Sequence, residues 1–361
     1  MSKKILCAVI ISLILLISNQ IQASKITIPL RQYDSGDLYI NTSYGTQDCE
    51  IDIFVQFNYE CYNIISNPLH QTDVCGAKYI GEESYFTKKP NYSALFQLGS
   101  TLATLQFIVS NEFNDIGRRT LCFSSQSNNQ DNAFVQLYDE KLISKQIAYI
   151  NLNRNTLDRD GDDDQIVGAL DIGEPDLSLV KEGSTFVELQ KSKYEDRGDY
   201  TSNCKGVTYS GQNLDIYSFT HINFNSPFTV LNLKGVNKIL QTFNQKNIKY
   251  RIDQPSKNKS PLIYLPSVEQ LEPLQFYFQT VEGNDFTITL QPSQFYKLLP
   301  SGEYQLLIQS QLPSQNFQSI GNTVFQTYYI GFDFQQQSIH IAEKILNQKT
   351  SNNFRGTKNL Q

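Results

Sequence analysis

Tryptophan is absent from these 361 residues, methionine occurs once and histidine three times. The histidines, His70, His221 and His340, are scattered, and no Cys-x-x-Cys pair occurs, so no zinc or other metal site is expected. Basic residues are in the minority: 30 Lys and Arg against 36 Asp and Glu give a formal net charge of -6. That balance lacks the basic footprint of a nucleic-acid binder. Alanine is sparse, whereas Tyr, Phe, Ile, Gln and Asn are abundant, a composition that favours strands over helices. The length accommodates one large core or two ordinary ones.

Long apolar runs are equally scarce. The longest, residues 5–18, follows Lys3 and Lys4 and is too short to span a bilayer comfortably. With Ala23 as a small residue before Ser24, residues 1–23 read as a secretory signal, the alternative being an uncleaved anchor. The polar stretch 348–361 does not have the make-up of a GPI signal. The mature chain is therefore expected in the secretory-pathway lumen or outside the cell, off the membrane once the signal is cleaved. Disulfides are permitted there. Cys7 leaves with the signal, so Cys49, Cys61, Cys75, Cys122 and Cys204 remain, an odd set that leaves at least one thiol free or paired between chains. Asn41-Thr42-Ser43 and Asn91-Tyr92-Ser93 are glycosylation sequons; Asn258-Lys259-Ser260 is a weaker one because Pro261 follows it.

Alternation of period two recurs at 50–55, 105–109, 146–152, 276–278 and 286–290. Helical spacing of apolar residues is confined to 132–141 and 233–243. Many short strands with a few short helices predict an all-β, sandwich- or barrel-like architecture. An internal echo stands out: Gln56-Phe57-Asn58 and Asn223-Phe224-Asn225 each close a strand with amide-Phe-Asn. The acidic run 158–164 has alternating carboxylates, but Gly161 falls at its fourth position rather than the sixth and no Glu follows at the twelfth. It reads as a solvated loop rather than a calcium site.

The stretch 320–333, Ile-Gly-Asn-Thr-Val-Phe-Gln-Thr-Tyr-Tyr-Ile-Gly-Phe-Asp, followed by Ser338-Ile339-His340-Ile341-Ala342, resembles the late segment of the pepsin-like aspartic peptidases. Other pieces fall in that family's order. They are Ile28-Pro29-Leu30, the Gly45-Thr46-Gln47 turn, 141–146, the Gly168–Asp176 hairpin, 271–278 and 290–296. The resemblance covers roughly residues 25 to 345. It implies a two-lobed, all-β fold with a central interlobe cleft: an N-terminal lobe over 24–180, a connection over 181–200, a C-terminal lobe over 201–345 and a polar tail over 346–361. It also implies that Cys61 and Cys75 staple a small loop after the first motif, with Cys49 as a competing partner.

In that family each lobe contributes an Asp-Thr/Ser-Gly loop to the cleft floor. The two carboxylates share a proton, one activating water and the other polarising the scissile carbonyl. By the resemblance those loops fall on Gln56-Phe57-Asn58 and Asn223-Phe224-Asn225. A carboxamide does not titrate near neutral pH, so neither Gln56 nor Asn223 can act as general base, and Phe57 and Phe224 lack the hydroxyls of the supporting grip. Asn58 and Asn225 are expected to replace glycine through asparagine's tolerance of positive φ. The nearest acids are Asp52, Glu60 and Asp215. Asp34-Ser35-Gly36 carries the tripeptide pattern but follows Arg31-Gln32-Tyr33 rather than a buried apolar strand. Asn322 stands where the family has Asp after the late glycine, and Arg119-Thr120-Leu121-Cys122-Phe123 where it has Asp-Gly-Ile-Leu-Gly. Tyr85 is the candidate flap tyrosine, although Phe86 replaces the usual Gly, and no inhibitory pro-segment fits between Ser24 and Ile28.

The expectation is a secreted pseudo-peptidase, without catalytic residues or cofactor, that binds a peptide, protein or glycan ligand through its cleft or surface. The alternatives are an active aspartic endopeptidase with unusual loops, and a secreted structural or protease-inhibitor protein.

Overall fold

The computed structural model describes residues 25–33, 36–45, 49–57, 64–66, 78–83, 90–110, 120–123, 132–153, 166–192, 200–216, 218–254, 260–311 and 318–345. The signal segment 1–23, the acidic run 158–164 and the polar tail 346–361 lie outside these residues. Among the described residues the chain is mostly β, with three sheets of 13, 8 and 4 strands and two short helices, Ala133–Asp139 and Leu233–Gln245. No helix among the described residues is long and apolar enough to cross a membrane.

Alternation dictates the strands. In Lys25–Gln32 the side chains of Ile26, Ile28 and Leu30 are buried while Thr27 and Pro29 face the less protected side. Ile147–Leu152 and Tyr328–Asp333 are buried at every position and are correspondingly apolar on both faces, as befits strands inside a sheet. Both helices begin on an asparagine. Asn132 Oδ1 accepts from Phe134 N at 2.8 Å, and Asn232 Oδ1 from Gly235 N at 2.7 Å. In the second helix Val236, Ile239 and Phe243 recur on the buried face.

The 13-stranded sheet joins the two ends of the chain. Lys25–Gln32 pairs with Ile166–Gly173, which pairs with Ile147–Leu152, which in turn pairs with Tyr328–Asp333. Ser338–Glu343 and Val187–Leu189 complete that edge.

A four-strand arrangement occurs twice. In the first repeat Cys49–Gln56 runs parallel to Thr120–Cys122, which is antiparallel to Ile64–Ser66, itself parallel to Thr101–Ser110. In the second repeat Ser218–Ile222 runs parallel to Gln318–Ile320, which is antiparallel to Thr229–Leu231, itself parallel to Ile308–Ser310. Gln56-Phe57 and Asn223-Phe224 of the sequence echo thus mark the same topological position in two like units.

Cys49 and Cys122 are disulfide-bonded, whereas Cys204 is a free, buried thiol. Cys122 lies opposite Gln56, at the far end of the strand that Cys49 begins. Seven residues of extended chain separate the two by about 20 Å, so they do not bond each other. Each bridge therefore leads to a cysteine outside the described residues.

Candidate functional site

Phe57 follows Ile51, Ile53 and Val55 on the buried face of the first repeat, and Phe224 follows Ile222 in the second. Both strands end by directing a phenyl ring at the other repeat. The rings meet with centroids 5.1 Å apart and planes at 70°, and each residue is 1% exposed. Phe57 also stacks on Phe332 at 4.8 Å and on Phe123 at 5.6 Å. Phe224 meets Phe325 edge-on at 6.2 Å, and Tyr200 meets Phe332 at 5.1 Å while its hydroxyl donates to the Phe123 carbonyl at 3.3 Å. The repeats are therefore joined by a continuous aromatic stack.

Gln56 and Asn223 immediately precede these rings, and both are half-buried. The Gln56 carbonyl accepts from Phe123 N at 2.8 Å, and Asn223 N donates to the Ile320 carbonyl at 2.8 Å. The Asn223 side chain is turned onto its own loop, with Oδ1 accepting from Asn225 N at 3.0 Å. That bond, rather than a left-handed backbone, shapes the second loop. Asn225 is not among the described residues with positive φ, which corrects the expectation that it replaces glycine by adopting one. Its first-repeat counterpart, Asn58, lies outside the described residues.

Asn322 closes the joint. Its Nδ2 donates to the Gly36 carbonyl at 2.9 Å and to the Phe224 carbonyl at 3.2 Å, and Gln32 Nε2 donates to the same Gly36 carbonyl at 2.9 Å. Gly36 has φ +90°, and a Cβ there would lie 2.5 Å from Pro227 Cγ. A Cβ on Gly321 would lie 2.2 Å from the Pro227 carbonyl oxygen. The glycine of Asp34-Ser35-Gly36 is thus part of the packing between repeats; Asp34 and Ser35 lie outside the described residues. Asp52 is engaged by Tyr33 Oη at 3.3 Å and by Asn41 Nδ2 at 2.9 Å. Asp215 takes ion pairs from Lys238 at 2.7 Å and Lys234 at 2.9 Å, whose hydrogen bonds hold its carboxyl below the ordinary range. Among the described residues no group of three His, Cys, Asp or Glu is placed to hold a metal ion.

No family model and no curated protein matches this chain.

The remaining expected positions divide plainly. Tyr85 and Glu60 lie outside the described residues. Asn41 is exposed on Leu38–Tyr44, and the backbone of Asn91 belongs to the strand Pro90–Leu98.

Three polar clusters carry no short-range signal and were not anticipated. Asp171, 1% exposed, accepts from Thr27 Oγ1 and from Tyr329 Oη, both at 2.5 Å, and lies 3.2 Å from Lys25 Nζ. Burial, then the Asp171 carboxylate, holds the Tyr329 phenol protonated. Ser338 Oγ and Asp333 Oδ2 lie 3.2 and 3.7 Å from the same nitrogen of His340, Nε2. A nucleophile–base–acid relay needs those partners on opposite ring nitrogens, so this trio is not one. Lys344 is buried, and its ammonium donates to Asn151 Oδ1, the Phe325 carbonyl and the Leu152 carbonyl.

Proposed function

We propose that the chain is a secreted pepsin-like pseudo-peptidase: a two-lobed aspartic-peptidase frame that has given up hydrolysis and binds a peptide, protein or glycan through its interlobe cleft or its surface. The Phe57–Phe224 contact carries the reading. In a working enzyme of this kind the equivalent loops would present two carboxylates, supported by hydroxyls that hydrogen-bond across the joint. Here the positions before the rings are carboxamides, and the positions of the hydroxyls are occupied by phenyl groups that pack rather than donate.

The chemistry follows from those substitutions. Hydrolysis of an amide by this route needs a group that removes a proton from water and one that donates to the carbonyl oxygen. A carboxamide can hydrogen-bond to both, but it can neither take up nor release a proton in the working range. Gln56 and Asn223 can therefore orient a polar ligand without turning it over, and their contribution to binding is insensitive to pH. The duplicated strand arrangement supports the two-lobed reading, as does the ordered succession of landmarks from Ile28 to Ala342. The N-terminal apolar segment and the bonded Cys49 and Cys122 support passage through an oxidising compartment.

The test is incubation of the purified protein with denatured haemoglobin across pH 2 to 7, with and without pepstatin. No cleavage is expected at any pH. Pepstatin-sensitive cleavage would establish the active endopeptidase instead. A stoichiometric protease co-purifying from the secretory pathway would point to an inhibitor.

A further inference from the structure

Six buried side-chain atoms of the second half have no hydrogen-bond partner among the described residues: Ser202 Oγ, Asn225 Oδ1, Gln318 Oε1, Ser319 Oγ, Asn322 Oδ1 and Thr323 Oγ1. The first repeat contributes none among the described residues. At the position equivalent to Asn322 the first repeat carries Phe123, whose ring meets those of Phe57 and Phe134.

Strand register places two of the six together. Ser202 lies opposite Thr220, and Thr220 lies opposite Gln318, so the three form one row across adjacent strands. Gln318 Nε2 donates to Thr220 Oγ1, which brings the Gln318 amide back along the row towards Ser202. Cys204, two residues on from Ser202 and on the same face, is within hydrogen-bond reach of both Thr220 and Gln318, and its thiol donates to the Gly206 carbonyl at 3.2 Å. Ser202, Thr220 and Gln318 are each no more than 2% exposed. A neutral polar row is thereby sealed inside the sheet, with a hydroxyl and a carboxamide oxygen left over.

The other group surrounds the second loop. Asn322 uses both protons of Nδ2 on Gly36 and Phe224, which fixes its Oδ1 as the unpartnered atom. Asn225 is the next residue after Phe224 and brings a second unpartnered carboxamide oxygen to the same loop. Carboxamide oxygens accept only, so whatever satisfies them must donate.

We propose that the second half binds ordered internal water at these two places, one molecule in the Ser202–Thr220–Gln318 row and one beside Asn225 and Asn322. Water fits the chemistry because it donates twice and accepts twice, so it can donate to Gln318 Oε1 and accept from Ser202 Oγ at once. It fits the sealing too, since groups buried this deeply are reached by nothing larger without opening the sheet. A charged occupant is disfavoured in the row, which offers no ionised side chain among its members.

The test is a crystal structure at about 1.5 Å together with thermal unfolding of Ser202→Ala and Ser202→Thr. Single water-sized density peaks within hydrogen-bond distance of Gln318 Oε1 and of Asn322 Oδ1 are expected. Ser202→Ala should remove the first peak and lower the melting temperature by a few degrees, and Ser202→Thr should keep it. Dry density at either place, density too large for water, or a rise in melting temperature on Ser202→Ala would each overturn the proposal. A rise is the outcome for an unhydrated hydroxyl, because alanine then removes an unpaired buried group.

Discussion

Phe57 and Phe224 hold each other edge to face at 5.1 Å, one from each of two like strand arrangements. Because both rings are fully enclosed, the contact contributes to stability as core packing. Truncation of either to alanine is expected to cost about 3–5 kcal/mol. The double variant should cost less than the sum, by about 0.5–1.5 kcal/mol for the edge-to-face term. Urea unfolding of the four forms measures this directly, and strict additivity would show that the repeats do not support each other through these rings.

Much of this joint was legible in the sequence, because the echo of amide-Phe-Asn recurs at a strand end and strand ends follow from alternation. The stretch 132–141 became the helix Ala133–Asp139, and 233–243 became Leu233–Gln245, both capped by the asparagine that precedes them. What could not be read was the pairing of the repeats, since parallel neighbours such as Val55 with Leu121 are far apart in the chain and no local pattern links them. The same holds for Asp171, whose partners Thr27 and Tyr329 come from opposite ends of the chain. The role of Gly36 was hidden for a related reason. Its tripeptide carries the catalytic pattern but follows Arg31-Gln32-Tyr33, which argues against chemistry, and its packing against Pro227 is visible only in three dimensions.

Gly36→Ala therefore gives a sharp prediction. The new methyl group meets Pro227 at 2.5 Å while the backbone keeps φ +90°, so strain and collision add. A loss of more than about 1 kcal/mol is expected. Pairing it with Pro227→Ala should recover the part due to collision and leave the part due to φ. If the single variant unfolds at the wild-type midpoint, the turn does not form the joint described.

The cysteines make a third prediction. Cys49 and Cys122 are bonded but not to each other, and Cys204 is free, so their two partners must come from Cys7, Cys61 and Cys75. A Cys61–Cys75 bridge would leave only Cys7 for both. Non-reducing peptide mapping of the mature protein should find Cys61 and Cys75 each joined to one of Cys49 and Cys122. It should also find Cys204 as the thiol alkylated only after unfolding, because burial pushes that thiol up and shields it. Recovery of a Cys61–Cys75 peptide would break the assignment.

Lys344 ties folding to pH. Its three N–H groups meet three oxygen acceptors, from Asn151, Leu152 and Phe325, none of them a carboxylate, and burial pushes the ammonium down to about 7 from the ordinary 10.5. In the unfolded chain the group keeps its proton to the ordinary value, so between these limits the unfolded state binds more protons than the folded one. Stability must then rise with pH across that window and fall as the solution is brought back towards neutrality, with a limiting slope of about 1.4 kcal/mol per pH unit. The three acceptors each suit an N–H, which opposes loss of the proton and makes that slope an upper bound. Lys344→Met removes the titration and strands the three acceptors, at a cost of about 1–3 kcal/mol for a buried group left unpaired. Urea midpoints at about pH 7.5 and 9.5 should therefore diverge between wild type and Lys344→Met, the wild type gaining at the higher pH. A constant difference between the two proteins would mean that Lys344 stays charged throughout and serves only as a fixed tether for the last strand.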